Sequence, residues 1–423
     1  MRRWSRFPLC FALAASAALT QAAHAQTITL GSTKFTLSGR LYGFAGAASS
    51  QNPTYSGFEA LRLYPSIDGS TDGGLQYGAM ADVREDAATL PGQIRPGQFY
   101  TRRLYAYLGT RALGTIRLGT TDGASEIFQV GTFDGGPSMF SDGGWNGLAH
   151  YGMAPAANPA WPFASSRYYY ATNKIVYLSP MWRHININLS YEPNIHGANL
   201  NDGGQYNVNS NSDYTDAGNI GQDMAARKNT FDVATRYARA FGDLALIGTA
   251  SYVVSGKAEQ HGPIQYQGPI QYQGPIRYQG PIRYQGLSFG DLGVSANYAG
   301  ITLAGNLQHG KFNGVWQLTP QGAKDSTAYS LGVSYKIGAY AIGASFFNYT
   351  SPGLSPLATG TRSEDGVSVG GSYLVSTHVS LYANYLLGQR HQTGFDFTTG
   401  LGGSSSANNV HTQGVTLGGR VSW

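Results

Sequence analysis

Two stretches near opposite ends of the chain alternate side-chain character with a period of two. In residues 34–45, KFTLSGRLYGFA, one face carries Phe35, Leu37, Gly39, Leu41, Gly43 and Ala45. The other face carries Thr36, Ser38, Arg40, Tyr42 and Phe44. In residues 414–423, GVTLGGRVSW, Val415, Leu417, Gly419, Val421 and Trp423 alternate with Thr416, Gly418, Arg420 and Ser422. Successive side chains of a strand point to opposite faces, so both stretches read as strands with one apolar or small face and one more polar face. Fourteen further segments read the same way, near 57–66, 74–86, 98–110, 113–121, 167–178, 181–192, 228–240, 243–256, 287–298, 301–312, 326–337, 339–350, 363–375 and 378–390. The total is sixteen, and the connections between them alternate between short and long.

The remaining composition narrows what sixteen such strands can build. Only 12% of the residues are charged, against about 25% in an ordinary soluble domain. Yet past the N-terminal segment no stretch reaches the ~18 consecutive apolar residues of a spanning helix, and no helical period recurs. Gly (58) and Tyr (29) are abundant. Residues 1–25 carry Arg2, Arg3 and Arg6, then an apolar run, then Ala23-His24-Ala25. This is the layout of a cleaved secretory signal peptide, with Gln26 as the first mature residue. Cys10 is the single cysteine and lies in that segment, which excludes a disulfide framework. Without the three arginines the chain has 25 basic and 23 acidic residues, a net charge of about +2, so it carries no footprint for nucleic acid. An exported all-strand chain of this kind predicts an all-β, transmembrane antiparallel β-barrel in the bacterial outer membrane, with short periplasmic turns and long extracellular loops. Residues 26–423 read as a single domain.

Several local sequences point to one family. They are the opening FTLSGRLYGFAGA, the strand pair RRLYAYLGTRALGTIRLGT (102–120), TNKIVYLSP (172–180) and the aromatic final residue after an alternating strand. Together, in this order, the chain resembles the Gram-negative general porins, trimeric and sixteen-stranded. The resemblance implies a homotrimer, and a water-filled channel that passes small hydrophilic solutes and ions. It also implies outer-membrane lipid and lipopolysaccharide as surroundings, and a barrel-assembly machinery that reads the terminal aromatic. Here that residue is Trp423 where the family usually has Phe. A third extracellular loop, residues 122–166, is expected to fold into the lumen.

Strand phase places an arginine inside on each of the first five strands: Arg40, Arg62, Arg84, Arg103 and Arg117. Charge on the lipid face would cost about 2–4 kcal/mol at mid-depth, which forces the inward assignment. Asp82, Tyr42, Tyr105, Tyr107 and Lys174 share the lumen phase. The following loop carries Asp122, Glu126, Asp134 and Asp142 and no basic residue until Arg167. By resemblance these acids face the arginine wall and form a charged eyelet, whose rings of charge would set ion preference. The alternative for the arginines is simple lumen solvation. Glu364 and Asp365 read as solvated loop charges. No catalytic motif, metal-ligand spacing or cofactor motif is present in the sequence, so neither an enzyme nor a cofactor is expected. The competing readings are an unselective channel, a sugar- or anion-selective channel, and a scaffold for an adhesive loop.

One stretch stands apart. Residues 262–286, GPIQYQGPIQYQGPIRYQGPIRYQG, repeat a hexapeptide four times. Proline every six residues keeps it out of the barrel wall, in the loop at 257–286. An extended form would put Ile and Tyr of each copy on one face. The first two copies carry Gln265 and Gln271 where the last two carry Arg277 and Arg283.

Overall fold

In the computed structural model, residues 25–49, 54–86, 99–131, 172–194, 227–260, 282–313, 318–352, 361–393 and 408–423 are described, with isolated residues at 264–265, 275–276, 316, 395–396 and 401–402. Sixteen antiparallel strands form one closed sheet. They are β1 Thr33–Ser49, β2 Thr54–Ser70, β3 Gln76–Asp86, β4 Tyr100–Thr110, β5 Gly114–Thr121 and β6 Thr172–Leu178. Then come β7 Ile185–Asn194, β8 Lys228–Phe241, β9 Leu244–Val254, β10 Ser288–Tyr298 and β11 Ile301–Lys311. The last five are β12 Ser326–Ile337, β13 Tyr340–Ser351, β14 Arg362–Leu374, β15 Val379–Gln392 and β16 Asn409–Ser422. Each strand pairs with the next, and β16 closes on β1 from Arg40↔Ser422 to Ser49↔Gln413. Closure satisfies every edge, as a strand structure in lipid requires.

The alternation in the sequence becomes an inside and an outside. On β15 Leu381, Ala383, Tyr385 and Leu387 are exposed on the outer surface, while Asn384, Leu386, Arg390 and Gln392 are buried. Leu104, Leu118, Leu303, Leu331, Ile342 and Leu417 are likewise more than half exposed. In water such a surface would be costly at about 25 cal/mol per Å². In a bilayer it is the solvated face. Exposed Phe241, Tyr298, Tyr335, Tyr340 and Tyr373 gather at the short-turn ends, the position of an interfacial aromatic girdle.

Glycine and aromatic residues are used together. Tyr107 on β4 lies across Gly78 on β3, where a Cβ would stand 2.5 Å from its ring, and its hydroxyl donates to Asp68 on β2. A bare backbone on one strand thus seats a ring from the next. Gly39 does the same for the C-terminus. A Cβ there would stand 2.5 Å from the Trp423 indole, and the two residues exchange backbone hydrogen bonds of 3.0 Å in both directions. Gly39 therefore receives the indole of Trp423. A short strand, Gln26–Leu30, occupies the rest of the same β1 edge, with Gln26 opposite Leu37. Gln26–Leu30 and β16 thus share one strand line, an arrangement the alternation alone did not indicate. β7 starts at Ile185 instead of 181, because Trp182 and Ile185 close a tight turn through Arg183 and His184, both at positive φ.

The described strands of the hexapeptide repeat lie in small sheets outside the barrel wall, as its prolines require. Ala258–Gln260 pairs antiparallel with Ile282–Gln285, and Ile264–Gln265 antiparallel with Pro275–Ile276. Tyr284–Gln285 also pairs with Thr319–Pro320 of the loop after β11.

Candidate functional site: the lumen wall and the inward loop

Arg40, Arg62 and Arg84 face one another directly across β1, β2 and β3, in the registers Arg40↔Arg62 and Arg62↔Arg84. Three like charges in a row need relief, and the first two share one source of it. Tyr42 lies beneath the first two. Its ring centroid is 5.4 Å from the Arg40 guanidinium carbon and 4.8 Å from that of Arg62, and Arg62 also donates to its hydroxyl. Such cation–π contacts suit the planar, weakly hydrated guanidinium. Arg84, buried, grips Asp82 through two parallel hydrogen bonds of 2.9 and 2.7 Å.

Asp82 is fully buried and serves a second partner, accepting from Arg103 Nη1 at 2.6 Å. Arg103 in turn donates from Nε to Asp122 at 2.7 Å. The result is a continuous chain, Arg84–Asp82–Arg103–Asp122, running from β3 over β4 to the start of the loop after β5. Asp122 thus sits on the arginine wall itself instead of facing it across the lumen. At Asp122, the first residue past β5, the loop has not yet left the wall. Arg117 lies apart. It registers with Tyr107, which registers with Gly78, six residues along β3 from Arg84 and so about 20 Å away along the strands. Its guanidinium carbon sits 5.0 Å from the Tyr105 ring centroid.

Sequence phase missed Arg102. The β3–β4 register shifts between Asp82 and Val83, so that Asp82 pairs with Arg103 and Val83 with Thr101. Arg102 is the extra residue of this bulge. It is buried at 3% exposure and lies within electrostatic reach of Asp82. A bulge inserts one residue and resets the alternation, so two consecutive arginines both turn inward.

Further round the wall, Lys174 on β6 joins a cluster that periodicity did not single out. Its Nζ is 3.3 Å from Glu192 Oε2 and donates to the Thr121 carbonyl at 3.3 Å. Glu192 also accepts from Arg227 at 2.8 and 3.1 Å and from Thr230 at 3.0 Å. On the far side Glu364 is fully buried and accepts from Arg390 at 3.0 Å, with Arg362 Nη1 at 3.9 Å. The reading of Glu364 as a solvated loop charge is corrected. It lies three residues into β14, opposite Arg390 of β15, and only that pairing reveals its inward position.

The segment after β5 turns inward and follows the wall. A short helix, α1 (Ala124–Phe128), begins where Ser125 donates its backbone NH and its hydroxyl to Asp232 of β8, both at 2.9 Å. Ala124 NH donates to Ser190 of β7 at 3.1 Å. Gln129 reaches Asp291 of β10 at 3.2 Å, the Val130 carbonyl accepts from Asn306 of β11 at 3.0 Å, and the Gly131 carbonyl accepts from Ser330 of β12 at 2.9 Å. Gly131 has φ +82°, and a Cβ there would stand 2.0 Å from the Gly305 carbonyl oxygen. Glycine lets the backbone lie this close. Glu126 rides on α1. Asp134 and Asp142 lie outside the described residues, as does the rest of 132–166.

A closed sixteen-stranded barrel with an apolar outside, a charged inside and a loop docked within it agrees with the sequence comparison. A profile described as Gram-negative porin matches residues 12–393. The chain belongs to the Gram-negative porin family. Solved structures similar to this porin include the trimer form of in-vitro folded OmpT from Vibrio cholerae, at 12% identity and a TM-score of 0.55, covering 93% of this chain and all of that one. The anion-selective porin of Comamonas acidovorans gives 15%, 0.56, and 92% and 100% coverage. Salmonella typhi OmpF in complex with daunomycin gives 13%, 0.54, and 93% and 100%. At these identities the likeness is one of fold. A search of curated protein sequences found no match. The porin is an outer-membrane channel protein, and its lumen walls are the candidate site.

Proposed function

We propose that this porin is a passive, water-filled channel for small hydrophilic solutes and ions, exported through cleavage after Ala25 and assembled as a homotrimer, as the Vibrio cholerae OmpT form is. The charged chain Arg84–Asp82–Arg103–Asp122, flanked by Arg40 and Arg62, carries this reading. It puts fixed charge on one wall while the loop after β5 lies along another. The proposed eyelet would orient dipolar solutes and disfavour apolar ones that cannot replace their water. Asp134 and Asp142 complete its acidic side in this proposal. Trp423, seated on Gly39, is the residue we assign to recognition by the assembly machinery.

A second reading, a preference for anions, is favoured by one count. Among the described side chains, the wall of β1–β5 turns six arginines inward (Arg40, Arg62, Arg84, Arg102, Arg103 and Arg117) against Asp68 and Asp82 on the same strands and Asp122 just beyond. Single-channel conductance and reversal potential in a salt gradient test both readings. An ohmic pore with a reversal potential on the anion side is expected, and Arg40→Ala, Arg62→Ala and Arg103→Ala should each move it toward cations. A reversal potential unmoved by all three would reduce these arginines to lumen solvation. Block by micromolar sugar would replace the unselective channel with a sugar-selective one.

A further inference from the structure

Five cations turn into the lumen near the short-turn mouth of the barrel. Lys34 is the second residue of β1 and shares the parity of Arg40 and Tyr42. Arg117 is the fourth residue of β5, between the exposed Ile116 and Leu118. Arg236 is sixth from the end of β8, in phase with the buried Asp232 and Ala234. Lys336 is next to last in β12, in phase with the buried Ala328 and Ser330. Arg420 is third from the end of β16, in phase with the buried Thr416. They line the lumen within about 17 Å of its short-turn rim, measured along the strands. Arg111 and Arg183, in the turns before β5 and β7, and Arg239, on the outer face of β8, stand on the rim itself.

The same mouth holds fewer acids. All seven short connections are described, and the carboxylates among the described residues at this end are Asp68, Asp72, Asp243 and the C-terminus of Trp423. Residues 1–24 contain no Asp or Glu. Asp68 stands opposite Lys34 in register, yet it accepts from Tyr107 and Ser66. Arg117, Arg183 and Arg239 lie over the rings of Tyr105, Trp182 and Phe241, at 5.0, 5.1 and 4.6 Å from the centroids. Among the described residues none of these eight cations forms an ion pair. Arg84, Arg103, Arg227 and Arg390, further up the wall, are each paired with a carboxylate.

We propose that this mouth is a docking ring for a flexible linear polyanion, a chain of phosphate or carboxylate groups offered from the side of the short turns. β1, β5, β8 and β12 stand three or four places apart in the wall, and β16 lies next to β1. Their cations are therefore spaced about 15–20 Å apart round the wall. A compact anion reaches one or two of them. A chain reaches more, because each group that is held tethers the next near another cation at high effective concentration. Guanidinium forks and ammonium point charges both suit phosphate and carboxylate oxygens. A bound chain covers the entrance and blocks it. This is a different property from the ion preference of the arginine wall, and only its electrical readout rests on the channel reading.

The test is single-channel recording of the folded porin, with linear polyphosphate or poly-L-glutamate added to one compartment and then to the other. Each channel should be blocked from one side at a concentration about fivefold or more below that needed from the other. High salt should relieve the block. The triple variant Lys34→Gln/Lys336→Gln/Arg420→Gln should raise the half-blocking concentration on the sensitive side about tenfold. Its three changes all lie at the short-turn mouth, so this loss also identifies the sensitive side. The double variant Lys34→Gln/Lys336→Gln, at two exposed positions, should raise it about threefold and guards against misfolding of the triple one. Block by both chains means that spaced charge is recognised, and block by one alone assigns phosphate or carboxylate. No block, equal block from both sides, or variants blocked like the wild type overturn the proposal. A wild type without conductance overturns the channel reading instead. Binding of labelled polyphosphate to the porin in neutral detergent then decides the docking ring, and equal binding by wild type and triple variant overturns it.

Discussion

Two stretches of the same inner wall treat their carboxylates in opposite ways. On β3–β4, Asp82 is held by arginines, and every strong contact is between full charges. On β8–β12, Asp232 and Asp291 accept from Ser125, Ser190, Gln129, Asn306 and Gln308, all of them neutral donors. The first arrangement holds charge in the wall. The second uses charge to hold a loop, because a carboxylate bonded by an NH and a hydroxyl makes a stronger anchor than a neutral acceptor. Ion preference should therefore belong to the first stretch and loop position to the second.

Substitutions can break that division. The largest effect is expected from Asp82→Ala, which strips the buried Arg84 of its two-point partner and Arg103 of a carboxylate at 2.6 Å. Removing one member of a buried pair costs about 3–5 kcal/mol. The unfolding midpoint of the purified barrel, read by circular dichroism or by heat-dependent gel mobility, should fall, and the reversal potential should move further toward anions. An unchanged midpoint would mean that this pair contributes nothing net.

Asp232→Ala should have a smaller effect on stability, about 1–3 kcal/mol, since it leaves two Ser125 donors without an acceptor. Its signature should be noisy conductance and faster proteolysis of the loop after β5, with the reversal potential nearly in place. Gly131→Ala should act the same way through the clash with the Gly305 carbonyl. A marked shift of ion preference in either variant would dissolve the distinction between the two stretches. The smallest effect is expected from Arg117→Ala. It removes a cation–π contact of about 0.5–1 kcal/mol, far along the strands from the charged chain, and should move the reversal potential toward cations less than any of Arg40→Ala, Arg62→Ala and Arg103→Ala.

The sixteen strands and the inward direction of Arg40, Arg62, Arg84, Arg103 and Arg117 follow from a period of two and the cost of charge in lipid. Those are local facts, readable residue by residue. Arg102 was not legible, because a bulge is a relation between two strands and leaves no mark on the alternation of either one. Glu364 was misread for a related reason: an acid near a strand end looks solvated until the strand beside it supplies Arg390. The repeat behaved in the same manner. Its prolines placed it outside the wall, yet nothing in four near-identical copies distinguished Tyr284 from the tyrosines of the other three. Its contact with Thr319 and Pro320 did that.

Outside the bulge at Arg102, the sequence by itself thus determined which face of each strand meets lipid and which meets the lumen, because strand geometry maps chain parity onto space. Only the tertiary structure decided which lumen charges meet one another. Register, bulges and closure join residues far apart in the chain. They set Arg103 between Asp82 and Asp122, Ser125 on Asp232, and Trp423 on Gly39. Pairing of charges is decided by distances of a few ångströms, and parity carries no distances.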